Sequence, residues 1–120
     1  MVANLPQAFN DFNVQFKEKK MLKVLVTYKV KPDRVTENEE LVKTVYDELR
    51  QNNDPDIHYA TFKLDDGQTY THIASFSSPE KQAELTESKS FQAFRENLPD
   101  RCEVPPNPQK LNEIDSYNFV

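Results

Sequence analysis

Two histidines, one cysteine, five tyrosines and a scatter of carboxylates are the side chains through which this chain could do chemistry near neutral pH. A histidine flanked by phenol hydroxyls can hold, accept or pass a proton, because its ordinary pKa lies close to the working pH. His72 is the better placed of the two: Tyr70 and Phe76 stand at even spacings from it, and Tyr59 and Thr61 lie on the segment just upstream. Aromatic bulk combined with hydrogen-bonding tips suits a flat or phenolic molecule. His72 and Tyr59 are therefore the candidate catalytic residues, and Tyr28, Tyr70 and Phe76 the candidate ligand-binding residues. The competing reading is that these residues belong to a core or dimer interface in which their polar tips are satisfied locally.

Other constellations lead elsewhere. His58 follows Asn52-Asn53-Asp54-Pro55-Asp56 and reads as a strand-entry residue. Asp65-Asp66 and Glu39-Glu40 fall in a turn and at a helix start, where carboxylates serve turn chemistry and the helix dipole. Ser88 and Ser90 have no base close in sequence and read as helix-capping residues, and Cys102 beside Arg101 reads as an inert thiol. A lone cysteine makes neither an internal disulfide nor a thiolate zinc site, and two histidines on opposite faces of a hairpin do not share a metal, so no metal is expected. Gly67 is the one glycine, which excludes Gly-rich phosphate loops and dinucleotide fingerprints.

The elements that must position His72 can be read from periodicity. Leu22, Val24, Val26, Tyr28 and Val30 alternate with Lys23, Leu25, Thr27 and Lys29, which predicts a strand over 22–30. Lys31-Pro32-Asp33 stops it. Thr36 and Glu39 then fit a capping box opening a helix to about Arg50 or Gln51, with Leu41, Val42, Val45, Tyr46 and Leu49 on one stripe. Segments 57–64 and 68–76 flank Asp66-Gly67, a pair favoured in a two-residue type I′ turn. That hairpin sets Lys63 opposite Tyr70, Thr61 opposite His72 and Tyr59 opposite Ala74, and puts His58 on the other face with Ala60, Phe62 and Ile73. Ser78-Pro79-Glu80 opens a second helix, which Ser88 breaks and recaps. The prolines at 99, 105, 106 and 108 keep the next stretch extended or turned, and Leu111, Ile114, Tyr117 and Phe119 predict a last strand over 111–119.

The expected fold class is α+β, a ferredoxin-like βαββαβ antiparallel sheet with two helices on one face. Residues 21–120 form the predicted domain, and residues 1–20, with Phe9, Phe12 and Phe16, an N-terminal arm that is not an export signal. Hydrophobic content is 37%, below the roughly 45–50% of an ordinary globular domain, but the apolar residues fall in periodic blocks, which speaks for a packed core. Both sheet faces carry apolar side chains and two helices cover only one, so a homodimer is expected. Formal net charge is −5, which disfavours nucleic acid as a partner. No apolar run approaches the ~20 residues of a membrane span, so no membrane partner is expected and the chain reads as cytoplasmic.

The run from Ser78 to Phe94, with its Ser88-x-x-Phe91-x-x-Phe94 element followed by Pro105-Pro106, resembles the antibiotic biosynthesis monooxygenase family of dimeric α+β barrels. Val30-Lys31-Pro32 is similar to that family's first strand-to-helix junction, and the resemblance spans about residues 21–119. It implies a dimeric α+β barrel. The wider superfamily includes haem-degrading enzymes and muconolactone isomerases, and this chain departs from the haem-degrading pattern. Leu85 stands where a helix histidine is common, Ala74, Ser75 and Phe76 stand where an acid and a tryptophan often occur, and the first strand has no asparagine. The function implied is cofactor-independent monooxygenation of an aromatic or polyketide-like small molecule, with no cofactor. The alternatives are a ligand-binding protein without catalysis and a purely structural barrel.

Overall fold

The structure, a computed structural model, describes residues 21–119; the arm expected over 1–20 lies outside them. Alternating apolar residues form β1 (Leu22–Val30), which a 3-10 turn at Pro32–Arg34 ends. Helix α1 (Val35–Asn52) leads to the hairpin of β2 (Ile57–Lys63) and β3 (Thr69–Phe76). The second helical segment is broken into α2 (Pro79–Thr86), α3 (Lys89–Glu96) and a short α4 (Leu98–Arg101), and β4 (Cys102–Leu111) closes the fold. The sheet order is β2-β3-β1-β4 with all neighbours antiparallel, the ferredoxin-like α+β arrangement expected.

The hairpin register holds: Lys63 pairs with Tyr70, Thr61 with His72 and Tyr59 with Ala74. The turn differs. A type I′ turn needs positive φ at both central residues, and of Asp66 and Gly67 only Gly67 has it, at 72°. The Asp66 carboxylate instead accepts from the Gln68 and Thr69 amides and the Thr69 hydroxyl, opening a four-residue loop closed by Leu64 N–H to the Thr69 carbonyl at 2.8 Å. A four-residue loop centred on the same pair leaves the pairing unchanged.

Two further expectations are corrected. The capping box at Thr36 and Glu39 does not form: the N-cap is Arg34, two residues earlier, and it makes no side-chain cap. Glu39 turns to the sheet, accepting from Lys63 Nζ at 2.8 Å and Tyr70 Oη at 2.6 Å. The last strand is the proline-bearing segment 102–111, not 111–119. Among the described residues β4 pairs with β1 alone, as an edge strand that tolerates proline, and Pro105-Pro106 fall where its register against β1 shifts, between Val104 opposite Lys29 and Asn107 opposite Thr27. Beyond it Ile114 and Tyr117 are 95% and 89% exposed. Ser78 and Ser88 cap α2 and α3 as their spacing implies, accepting from the Lys81 and Phe91 amides.

The helices pack on the face carrying Tyr28, Val30, Tyr70, His72, Ala74 and Phe76, where Val45, Leu85, Phe94 and Leu98 complete the core. The opposite face presents Leu25, Ile73, Ala60 and Phe62, the last 55% exposed.

Candidate active site

Period-two alternation aims Tyr28 of β1, Tyr59 and Thr61 of β2, and His72 of β3 into the same layer. There they are joined by hydrogen bonds. His72 Nε2 lies 2.7 Å from Tyr28 Oη, and its Nδ1 lies 2.8 Å from Tyr59 Oη and 3.0 Å from Thr61 Oγ1. Tyr46 of α1 reaches Thr61 Oγ1 at 2.9 Å. On the far side of Tyr28, Asn38 Nδ2 donates to its hydroxyl at 3.1 Å, and Arg101 Nε donates to Asn38 Oδ1 at 3.2 Å. Arg101 is fully buried. Its Nη2 donates to the Phe94 carbonyl at 2.7 Å, its guanidinium lies 5.4 Å from the Phe94 ring centre, and Nη1 has no partner among the described residues.

Between this sheet face and helices α2 to α4 lies a cavity of about 350 Å³. Tyr28, Tyr59 and His72 form its polar wall; Val26, Phe76, Leu85, Phe91, Phe94 and Leu98 are among its apolar lining, and the exposed Arg95 stands at its rim. The volume falls within the range of small-molecule sites, as does the ratio of many apolar to few polar groups. Of the candidate residues, His72, Tyr59, Tyr28 and Phe76 meet at this cavity. Tyr70 does not: its ring stacks behind Tyr28 at 5.6 Å and its hydroxyl goes to Glu39, on a shallow groove outside. His58 is exposed on β2 and paired with Ser75, away from His72.

Burial sets the charge state of the cluster. It lowers His72 from 6.5 to about 4, so the imidazole is neutral at pH 7, and it pushes the Tyr28 and Tyr59 phenols well above their usual range. Asn38 partly offsets the rise at Tyr28 by donating to its oxygen. Burial also raises the Cys102 thiol, and the nearby Arg101 only partly opposes this. Among the described residues no group of three or more His, Cys, Asp or Glu stands together as a metal site.

Asn38 and Arg101 escaped the reading of the residues. A signal for Asn38 existed, because position 38 continues the stripe of 41, 42, 45 and 49, and a polar residue on a buried stripe must be hydrogen-bonded. Arg101, in a proline-flanked stretch without periodicity, carried none.

Solved structures of low sequence identity share this architecture. The chain superimposes on Rv0793 from Mycobacterium tuberculosis with a TM-score of 0.69 at 15% identity, covering 80% of this chain and 97% of that one. A crystal structure described as an antibiotic biosynthesis monooxygenase gives 0.68 at 14%, covering 79% and 100%. A Caulobacter crescentus CB15 protein assigned provisionally to the antibiotic biosynthesis monooxygenases gives 0.68 at 17%, covering 81% and 92%. The chain thus has the ferredoxin-like α+β fold of the antibiotic biosynthesis monooxygenases. No family model matches its sequence, and no curated protein does. Among the described residues no helix is long and apolar enough to cross a membrane.

Proposed function

We propose that the chain is a small cofactor-independent monooxygenase acting on an aromatic or polyketide-like molecule, working as a homodimer. The observation that carries this reading is the apolar cavity walled by His72, Tyr28 and Tyr59. Cofactor-independent oxygenation asks little else of a protein. An electron-rich phenol or enol, once ionised, passes an electron to dioxygen, and recombination forms the new carbon–oxygen bond. Loss of water then leaves one oxygen atom in the product. The protein's share is to hold the ring, fix the oxygen of the substrate by hydrogen bonds and keep water out. The Tyr59 hydroxyl, held in place by neutral His72 and Tyr28, supplies the hydrogen bond, and the Phe91, Phe94 and Leu98 side chains supply the dry wall. The homodimer is proposed to form through the helix-free face of Leu25, Ile73, Ala60 and Phe62, with no nucleic acid or membrane as partner.

The test is oxygen uptake with anthrone-like and quinol substrates, with product identified by mass spectrometry. The wild type should turn over, and His72→Ala and Tyr59→Phe should each lose most of the rate while keeping the wild-type circular dichroism spectrum. Activity surviving in both variants, or no turnover in the wild type, would sink the proposal.

A further inference from the structure

Resting on the reading of this cavity as an aromatic-ligand site, we infer that Arg101 and Asn38 are positioning residues that give the hydrogen-bond chain one direction, so that Tyr59 offers its O–H to the cavity and the site receives its ligand as an oxyanion, a phenolate or enolate.

The direction starts at Arg101. A guanidinium only donates, so the Asn38 atom facing Arg101 Nε at 3.2 Å is the carbonyl oxygen, and the amide nitrogen faces Tyr28. Tyr28 Oη accepts from that nitrogen and has one hydrogen to give; His72 Nε2, at 2.7 Å, takes it. A neutral imidazole with Nε2 as acceptor carries its proton on Nδ1. That N–H lies between Tyr59 Oη at 2.8 Å and Thr61 Oγ1 at 3.0 Å. The reverse direction would put the proton on Nε2 and make Tyr28 accept from both Asn38 and His72. Its own hydrogen would then have no acceptor among the described residues, in a side chain that is 1% exposed, and a buried donor without an acceptor is strongly disfavoured.

Tyr59 is where the chain ends in a surplus. Its oxygen accepts from His72, and among the described residues its hydroxyl has no second partner. The hydroxyl hydrogen is thus available to an acceptor in the cavity that Tyr59 lines. A neutral phenol could take the Tyr59 hydrogen but would bring a donor of its own to a wall whose acceptors are already taken, whereas a phenolate brings acceptors alone. A bond from a neutral donor to an ionised oxygen is also the stronger kind. Arg95 at the rim adds a positive charge on the same cavity.

The experiment uses the full chain with ring-15N histidine. At pH 7 the wild-type His72 signals should show protonated Nδ1 and unprotonated Nε2. Asn38→Asp should invert this pattern: an aspartate only accepts, pairs with Arg101 and takes the Tyr28 hydrogen, which forces the His72 proton onto Nε2 and spends the Tyr59 hydrogen on Nδ1. With 4-nitrophenol as probe, followed by absorbance, the wild type should bind the phenolate in preference to the phenol. Tyr59→Phe and Asn38→Asp should each weaken that binding roughly tenfold or more, the loss typical of one bond to a charged group. Protonated Nε2 in the wild type overturns the inference from that spectrum alone, even if Asn38→Asp does not fold. An unchanged tautomer in a folded Asn38→Asp, or preference for neutral phenol, overturns it equally. Phenolate binding with the expected tautomers but without oxygen uptake on quinols leaves this inference standing and refutes the oxygenase; no 4-nitrophenol binding refutes the oxyanion site.

Discussion

Acidification should destabilise this protein well before its carboxylates are protonated, and His72 is the reason. The residue is 4% exposed, and its hydrogen bonds go to neutral groups, Tyr28, Tyr59 and Thr61. Among the described residues no charged side chain bonds to it, and Arg101 reaches it through Asn38 and Tyr28. Folding therefore lowers its pKa from 6.5 to about 4 by burial. A base with a depressed folded-state pKa binds its proton more readily when unfolded. Its contribution is thus fully present above pH 6.5 and is lost as the pH falls toward 4. The whole shift is worth roughly 3 kcal/mol, of which about 2 kcal/mol is lost between pH 7 and pH 5. For a domain of this size, with a urea slope of about 1 kcal/mol per molar, the unfolding midpoint should fall by roughly 2 M over that range. Glu37, Glu39, Asp54 and Asp66 are held below their ordinary values by their partners, so their losses begin at more acid pH. Urea titrations of wild type and His72→Gln at a fixed protein concentration separate the effects: the variant should be less stable at pH 7 but nearly flat down to pH 5. Parallel losses in the two proteins would refute the assignment.

Three other outcomes are expected. Phe94→Ala removes the ring that packs 5.6 Å from His72 and 5.4 Å from the Arg101 guanidinium, and should cost roughly 3–5 kcal/mol, read as a fall of roughly 15 °C or more in thermal midpoint. Light scattering at micromolar concentration should give about twice 14.0 kDa for the wild type, and Ile73→Asp on the helix-free face should yield the monomer; a monodisperse wild-type monomer would remove the barrel. Burial raises the Cys102 thiol, so its thiolate fraction at pH 8 is reduced and a disulfide reagent should modify it several-fold more slowly in the folded protein than in urea; equal rates would show that the thiol is neither buried nor perturbed.

What could be read ahead of the structure followed from strict local rules. A period of two and a turn centred on Asp66-Gly67 fixed the β2–β3 register, and with it the meeting of His72, Tyr59 and Thr61. Ser78 and Ser88 could be read as caps because a hydroxyl before a helix has a local partner three residues on. The failures occurred where a distant group outbid the local one. Glu39 has a better partner in Lys63 and Tyr70 than in the start of its own helix, which also draws Tyr70 away from the cavity. The last strand was misplaced because prolines discourage strand assignment, yet on a strand that is an edge of the described sheet, with Pro105-Pro106 at a register shift, they are compatible with pairing to β1.

Arg101 shows why part of a site stays hidden. Among the described residues it has no carboxylate partner and its Nη1 is unpaired, which works against folding, since a desolvated guanidinium held by two neutral acceptors is poorly compensated. An apolar side chain packed on Phe94 would serve the core better. What the arginine supplies instead is polarity: one donor-only group at the end of a chain of ambivalent ones, Asn38, Tyr28 and His72, each of which can point either way on its own. Local propensity does not encode that role, because the arginine lies 63 residues from Asn38 and meets it only in the folded domain. Residues that break a local rule at a cost to stability are where function is to be sought, and in this fold that criterion points to Arg101, Asn38 and His72.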